Sequence, residues 1–174
     1  MNNKPKILYE KYKELVFNVA LHYTQNIEDS EEITQDVFIS IFENIKKFRE
    51  ESTLKTWAYR ITINKSLDFL KSKKRLKRIF FFNSLKIDDQ DKKISVPEIN
   101  HPGIILENKE SVNAIFNGIN QLPPKLKTVI ILLKIEGESQ KETAQIMEIS
   151  VKAVESLFHR AKKKLSIILK DNKR

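Results

Sequence analysis

The stretch GESQKETAQIMEISVKAVESLFHRAKKKL, residues 137–165, constrains this chain more than any other. It predicts a helix, a short turn and a second helix that ends in clustered positive charge. Ser139 followed by Glu142 is a capping-box signature, each side chain satisfying an orphan N–H at the helix start. Ala144 and Met147 give the first helix an apolar side, and the small Ala144 permits a close helix–helix approach. Ser150 is a second N-cap candidate, and Val151, Val154, Leu157, Phe158, Ala161 and Leu165 follow at helical spacing. The wet face of this second helix carries Lys152, Glu155, Ser156, His159, Arg160, Lys162 and Lys163. Two such helices joined by about three residues form the helix-turn-helix that places a recognition helix in a DNA major groove. Helical hairpins also occur in proteins that never touch DNA, and Lys near a helix C-terminus is favoured by the macrodipole alone. The rest of the chain has to decide.

Charge is the first discriminator. The formal net charge of +9 is blocked along the sequence rather than spread. Residues 1–44 hold four Lys/Arg against eight Asp/Glu, and residues 45–78 hold twelve against three. Residues 79–110 hold four against six, and residues 111–174 twelve against six. Two basic blocks, each after an acidic one, suggest two polyanion-binding surfaces. Scarce Gly and Pro with abundant Leu, Ile, Lys and Glu predict an all-α fold.

Residues 6–24 carry Ile7, Leu8, Tyr12, Leu15, Val16, Val19 and Tyr23 at helical spacing, with His22 beside the stripe as a packing or surface residue. Asp29 with Glu32 reads as another capping pair. The helix that follows buries Ile33, Val37, Phe38, Ile41, Phe42 and Ile45 and shows Glu31, Glu32, Gln35, Asp36 and Glu43 on its opposite face. That face is either an ordinary wet surface or an acidic docking surface for a basic partner. Ser52 or Thr53 caps a third helix with Leu54, Trp57, Ile61, Leu67 and Leu70 inside. Its other side offers Lys55, Tyr59, Arg60, Asn64, Lys71, Lys73, Lys74, Arg75, Lys77 and Arg78. Aromatics among cations suit a single-stranded nucleic acid, with phosphates on the cations and bases on the rings. Trp57 reads as core, and Tyr59 as an exposed candidate. From about Ile79 to Asn108 the period fails, so this stretch is expected to be an interdomain linker, with Phe80, Phe81 and Phe82 covered by something. Periodicity resumes at Glu110, and Pro123-Pro124 start a buried helix leading into the helix-turn-helix.

Three of these stretches, in this order, resemble the extracytoplasmic-function group of the sigma-70 family of bacterial RNA polymerase initiation factors. DSEEITQDVFISIFENIKKF (residues 29–48) is similar to the group's acidic core-binding helix. STLKTWAYRITINKSLDFLKSKKR (residues 52–75) is similar to its promoter-melting and −10 segment. LPPKLKTVIILLKIEGESQKETAQIMEISVKAVESLFHRAKKKL (residues 122–165) is similar to its region-4 helix-turn-helix. The resemblance implies two small helical domains, region 2 over residues 5–78 and region 4 over 109–170, joined by a flexible linker over 79–108. It implies that Glu32, Gln35 and Asp36 dock on the β′ clamp helices of core RNA polymerase, with the β subunit also a partner. It places Arg49, Ser52, Thr53, Leu54, Tyr59, Arg60 and Asn64 near the melted −10 strand, where a flipped base needs a π-face and edge hydrogen bonds. Lys71, Lys74 and Arg75 then hold backbone phosphates. In region 4 it assigns reading of the duplex −35 element to Lys152, Glu155, Ser156, His159 and Arg160, with Lys162 and Lys163 on phosphates. An anti-sigma factor, and inhibitory packing of the two domains against each other, are expectations from the group. Two positions depart from the usual pattern. Glu148 stands in the turn, where relatives often have Gly and where a slightly different turn would need no left-handed backbone. Glu155 replaces a common Arg or Lys; it suits a cytosine amino group, or holds Lys152 or His159.

An enzyme is a poor fit. Cysteine is absent, His22, His101 and His159 are scattered, and no Gly-rich phosphate loop occurs, so no nucleophile, metal or cofactor site is expected. No apolar run is long enough to span a bilayer, and the N-terminus leads into an amphipathic segment rather than a signal-peptide core. The expected location is therefore cytoplasmic, without stable membrane insertion. The alternative function is a stand-alone helix-turn-helix transcriptional regulator, with residues 1–78 as a sensor or dimerisation domain.

Overall fold

The computed structural model describes residues 4–48, 52–84 and 109–172, in which seven α-helices and no strands occur. α1 (Lys4–Thr24) buries two adjacent stripes. Tyr12, Val16 and Ala20 point into one core, Val19 and Tyr23 into another. The helix stops where Gln25 turns left-handed (φ 54°) and donates its N–H to the Leu21 carbonyl at 2.8 Å. α2 (Ile27–Asn44) is capped by Asn26, whose Oδ1 accepts from the Asp29 N–H at 2.7 Å. The Asp29–Glu32 capping pair expected from sequence is therefore not the one used. The chain reversal at Gln25 starts the helix earlier and puts Asp29 inside its first turn, where a carboxylate still favours the dipole.

α3 (Leu54–Ser84) begins at Thr53, whose Oγ1 accepts from the Thr56 N–H at 3.1 Å. It continues beyond Arg78, so the first six residues of the stretch read as linker are helical. Residues 85–108, with His101, lie outside the described residues, as do the side chains of Phe80, Phe81 and Phe82. α1, α2 and α3 close one core around Tyr12, Val16, Ala20, Ile33, Val37, Phe38, Ile41 and Ala58. Trp57 packs against that core, with the Phe48 ring 5.2 Å away, which fits its reading as a packing residue.

α4 (Lys109–Asn120) approaches the last helix closely at Gly118, where an added Cβ would come within 2.9 Å of the Leu165 side chain. α5 (Pro124–Ile130) starts with proline at its first position, where the missing N–H is no loss. It then widens into a π-helical turn (Ile131–Ile135), closed by the Glu136 N–H on the Ile131 carbonyl at 2.9 Å. Gly137, at φ 71°, takes the chain out of this turn. α6 (Gln140–Met147) has the expected capping box between Ser139 and Glu142, and α7 (Val151–Asp171) is capped by Ser150. Between them Glu148 adopts φ 56° and ψ 43°, so the turn is left-handed after all. The Glu148 and Ile149 N–H groups reach back to Gln145 and Ala144 carbonyls, a closure that requires that conformation.

The second core is shared between the two halves. Ile119, Leu122, Leu126, Val129, Ile131, Leu132, Ala144, Ile146, Val154 and Ala161 pack with Val19 and Tyr23 of α1 and Tyr59 and Ile63 of α3. The C-terminal helices therefore complete their core with side chains from the first three. Fully burying each Leu or Ile there contributes about 1.5–3 kcal/mol.

Candidate nucleic-acid interface

The acidic face of α2 is built by helical spacing alone. Glu31, Glu32, Gln35, Asp36 and Glu43 are all exposed, while Ile33, Val37 and Ile41 lie beneath them. Asp36 pairs with Lys65 at 3.8 Å, between two half-exposed side chains. Such a pair contributes less than about 1 kcal/mol. Ile39 and Phe42 are exposed on the same helix, which adds apolar area beside the acids.

The residues expected to meet a melted strand fall into separate environments. Arg49 lies outside the described residues. Thr53 is exposed but its hydroxyl is engaged in the helix cap, with Ser52 beside it and Leu54 packed on the first core. Tyr59 is not exposed, contrary to the expectation, but only 2% accessible. Its hydroxyl lies 3.0 Å from Glu136 Oε2 and 2.9 Å from Glu138 Oε1, sharing one proton between two carboxylates. Burial, then the Glu136 and Glu138 charges, push its ionisation far above the ordinary tyrosine range. The reason is tertiary, because the turn into α6 lies over this part of α3. Arg60 donates to the Gln145 carbonyl at 2.7 Å and pairs with Glu148 at 2.9 Å. Asn64 is exposed at the next turn, and Lys71, Lys74 and Arg75 are exposed further along.

α7 keeps its polar face. Lys152, Glu155, Ser156, His159, Arg160, Lys162 and Lys163 are all exposed, with the Lys162 ammonium 4.8 Å from the Phe158 ring centroid. Among the described residues Glu155 pairs with neither Lys152 nor His159. Ser156 and Arg160 form one wall of a cleft of about 510 Å³, and Arg60, Ile63 and Asn64 of α3 form the other. The structure thus brings part of the expected −10 set and part of the expected −35 set face to face. The acidic face of α2 stands apart from both.

Glu136, Glu138, Lys127 and Thr128, which sequence reasoning passed over, hold this arrangement together with His22, Lys55 and Tyr23. The His22 Nδ1 lies 2.8 Å from Glu136 Oε1, joining the end of α1 to the turn before α6. Lys55 Nζ lies 2.6 Å from Glu138 Oε1, whose side chain is only 6% accessible. Lys127 is buried, donates to the Tyr23 carbonyl at 2.9 Å and sits over the Tyr23 ring. Burial, and then the Lys74 charge, bring its pKa down to about 8. Tyr23 and Thr128 share a 2.6 Å hydroxyl contact beside it. The only sequence signal was local: two acids flanking a glycine, directly before a helix cap. Among the described residues no group of His, Asp and Glu converges as a metal site, and no helix is long and apolar enough to cross a membrane.

Comparison with known proteins places these surfaces in context. The family model described as sigma-70 region 2 matches residues 8–76, and that described as sigma-70, region 4 matches residues 113–165. The ECF RNA polymerase sigma-E factor of Haemophilus influenzae is 28% identical over 156 residues, covering 90% of this chain and 82% of that protein. The ECF RNA polymerase sigma factor SigW of Bacillus subtilis is 28% identical over 164 residues, covering 92% and 86%. The fold is similar to that of the sigma factor RpoE from Bartonella quintana, solved with the anti-sigma factor NepR. That match has a TM-score of 0.65 at 18% identity and covers 97% of this chain and 98% of that one. It is also similar to CnrH, solved with the cytosolic domain of CnrY, with a TM-score of 0.66 at 21% identity over 98% and 90% of the two chains.

Proposed function

The chain belongs to the extracytoplasmic-function group of the sigma-70 family, and from that premise we propose how its surfaces divide the work of promoter-specific initiation. Residues 5–78 act as region 2 and residues 109–170 as region 4, with 79–108 between them. Glu32, Gln35 and Asp36 dock on a basic surface of core RNA polymerase, the β′ clamp helices. The observation that carries this reading is the exposed face of Glu32, Gln35 and Asp36 on α2, where the ion pair found among the described residues is the loose one from Asp36 to Lys65. Exposed charge of one sign steers a partner of the other sign and fixes its register.

On the polymerase, the N-terminal turns of α3 hold the melted −10 strand. Arg49, Ser52, Thr53 and Leu54 line its approach, Asn64 supplies an amide, and Tyr59 and Arg60 supply ring and cation once the C-terminal half has moved off α3. Lys71, Lys74 and Arg75 lie along one exposed helix side and hold phosphates. α7 enters the −35 major groove with Lys152, Glu155, Ser156, His159 and Arg160, and Lys162 and Lys163 hold its flanking phosphates. Glu155, exposed and without a cation partner among the described residues, accepts a cytosine N4 hydrogen. The chain contributes no catalysis of its own; the polymerase makes the phosphodiester bond. The solved neighbours that carry anti-sigma chains make an anti-sigma factor a fitting partner here too.

The test is co-elution with bacterial core RNA polymerase followed by run-off transcription from selected promoters. Retention of the wild type and loss of the Asp36→Arg variant support the reading. Binding of duplex DNA alone, with core polymerase ignored, overturns it in favour of a stand-alone regulator.

A further inference from the structure

The donors of α3 that suit a nucleic acid are occupied by acids of the C-terminal half. Lys55 meets Glu138 at 2.6 Å, Tyr59 meets Glu136 and Glu138 at 3.0 and 2.9 Å, and Arg60 meets Glu148 at 2.9 Å. These contacts span the chain rather than one helix, and Glu136 and Glu138 are mostly buried in them. A carboxylate presents acceptor oxygens of the same charge sign as a phosphate, at the distances at which Lys, Arg and Tyr donate. The backbone is built to present them. The π-helical turn and the positive φ of Gly137 deliver two acids, two residues apart, to one side of α3. The left-handed Glu148 presents the third acid from the helix-turn-helix turn, with the Gln145 carbonyl beside it.

We propose that Glu136, Glu138 and Glu148 are an intramolecular stand-in for the backbone of single-stranded DNA, so that the C-terminal domain and the strand compete for Lys55, Tyr59 and Arg60. The proposal rests on the reading that α3 holds the melted strand. It assigns to the acids a role that domain packing alone does not require, because an apolar contact would close the domains without excluding a polyanion. It also fixes the order of events in the free chain. The strand gains α3 only as the turn between the π-helical segment and α6 lifts away, and lifting that turn frees Ser156 and Arg160 from the cleft they share with α3. The face of α2 is exposed in the closed arrangement and needs no opening.

The experiment uses the full chain, whose lack of cysteine allows labels at Asp68→Cys and Lys141→Cys, both exposed positions on α3 and α6. Energy transfer between the labels reports closure, and anisotropy of a labelled oligothymidylate reports strand binding at fixed salt. The Glu138→Gln/Glu148→Gln pair keeps size and hydrogen-bonding capacity while removing charge. It is expected to lower transfer and to tighten oligothymidylate binding about tenfold, because affinity scales with the fraction of chain that is binding-competent. Adding oligothymidylate to the wild type is expected to lower transfer in step with binding. A third chain, Lys55→Gln/Arg60→Gln, separates the failures. If the acid variant binds no tighter while this basic variant loses binding, α3 holds the strand but the acids do not compete for it, and the stand-in is overturned. If oligothymidylate binds all three chains equally, or none, the strand does not use α3, and both the stand-in and the reading beneath it fall. Binding to the wild type with transfer unchanged also overturns the stand-in.

Discussion

α2 and α3 present the same kind of polar face in sequence, and the structure treats them in opposite ways. Both are amphipathic helices packed on one core, and both carry one dominant charge on the outer side. Glu31, Glu32, Gln35, Asp36 and Glu43 of α2 stay in solvent, with a loose pair from Asp36 to Lys65, while Asp29 in the first turn is half-buried against Lys73 of α3. The donors in the first turns of α3 are engaged by acids of the C-terminal half, and Tyr59 is buried among the residues of the second core. The cause is complementarity within the chain. The C-terminal half brings acids to α3 at the turn before α6, whereas among the described residues the cations paired with α2 acids, Lys65 and Lys73, come from α3. A face that finds its opposite charge in the same molecule becomes part of the fold, and one that does not stays available.

The sharpest way to break this comparison is charge reversal on the bare face. Asp36→Arg is expected to lower affinity for core polymerase roughly a hundredfold while shifting folding stability by less than about 0.5 kcal/mol. A large drop in melting temperature would show that α2's face is structural after all. Next comes Lys127, buried where the end of α1 meets α5. Its folded pKa of about 8 lies below the ordinary 10.5, so the unfolded chain binds more protons between those values, and stability rises with pH across that window. Above about pH 10 the raised Tyr59 and Tyr23 oppose this, because the unfolded chain then loses phenolic protons first. Urea midpoints from pH 8 to pH 10 are expected to gain on the order of 2 kcal/mol, and Lys127→Met to flatten the rise. An unchanged slope in that variant would move the effect elsewhere.

Smaller effects sharpen the contrast. Tyr59→Phe removes the one proton shared by Glu136 and Glu138 and is expected to cost about 1–3 kcal/mol of stability. Glu32→Ala on α2 is expected to stay within about 0.5 kcal/mol. Equal losses in the two variants would erase the distinction between the faces. The smallest change is Glu148→Gly. It relieves a left-handed backbone worth about 1–2 kcal/mol but gives up an exposed pair to Arg60 worth up to about 1 kcal/mol. A net gain of a few tenths of a kcal/mol or more in thermal unfolding is expected, and a net loss would mean that the Arg60 contact outweighs the strain.

Much of this molecule was legible before any coordinates. The capping box at Ser139 and Glu142, the cap at Ser150, the polar face of α7 and the acid face of α2 all follow from short-range spacing, and each occurs as read. Local physics settles such features, because helix caps and faces depend on residues three or four apart. The misreadings share another origin. Asp29 looked like a cap because the reversal at Gln25 has no strong sequence mark, and Glu148 looked free of strain because the turn's backbone closure is not encoded in residue type alone. Tyr59 looked exposed because nothing near it in sequence covers it. The side chains that bury it come from about eighty residues further on.

Sequence by itself therefore determined the helices, their caps, the family resemblance and which side of each helix is wet. Tertiary structure alone decided which wet side stays wet. Glu136 and Glu138, two residues apart, would project in widely different directions on a regular helix. They converge on Tyr59 because a π-helical turn and Gly137 interrupt that regularity where the second core presses α5 against α1 and α3.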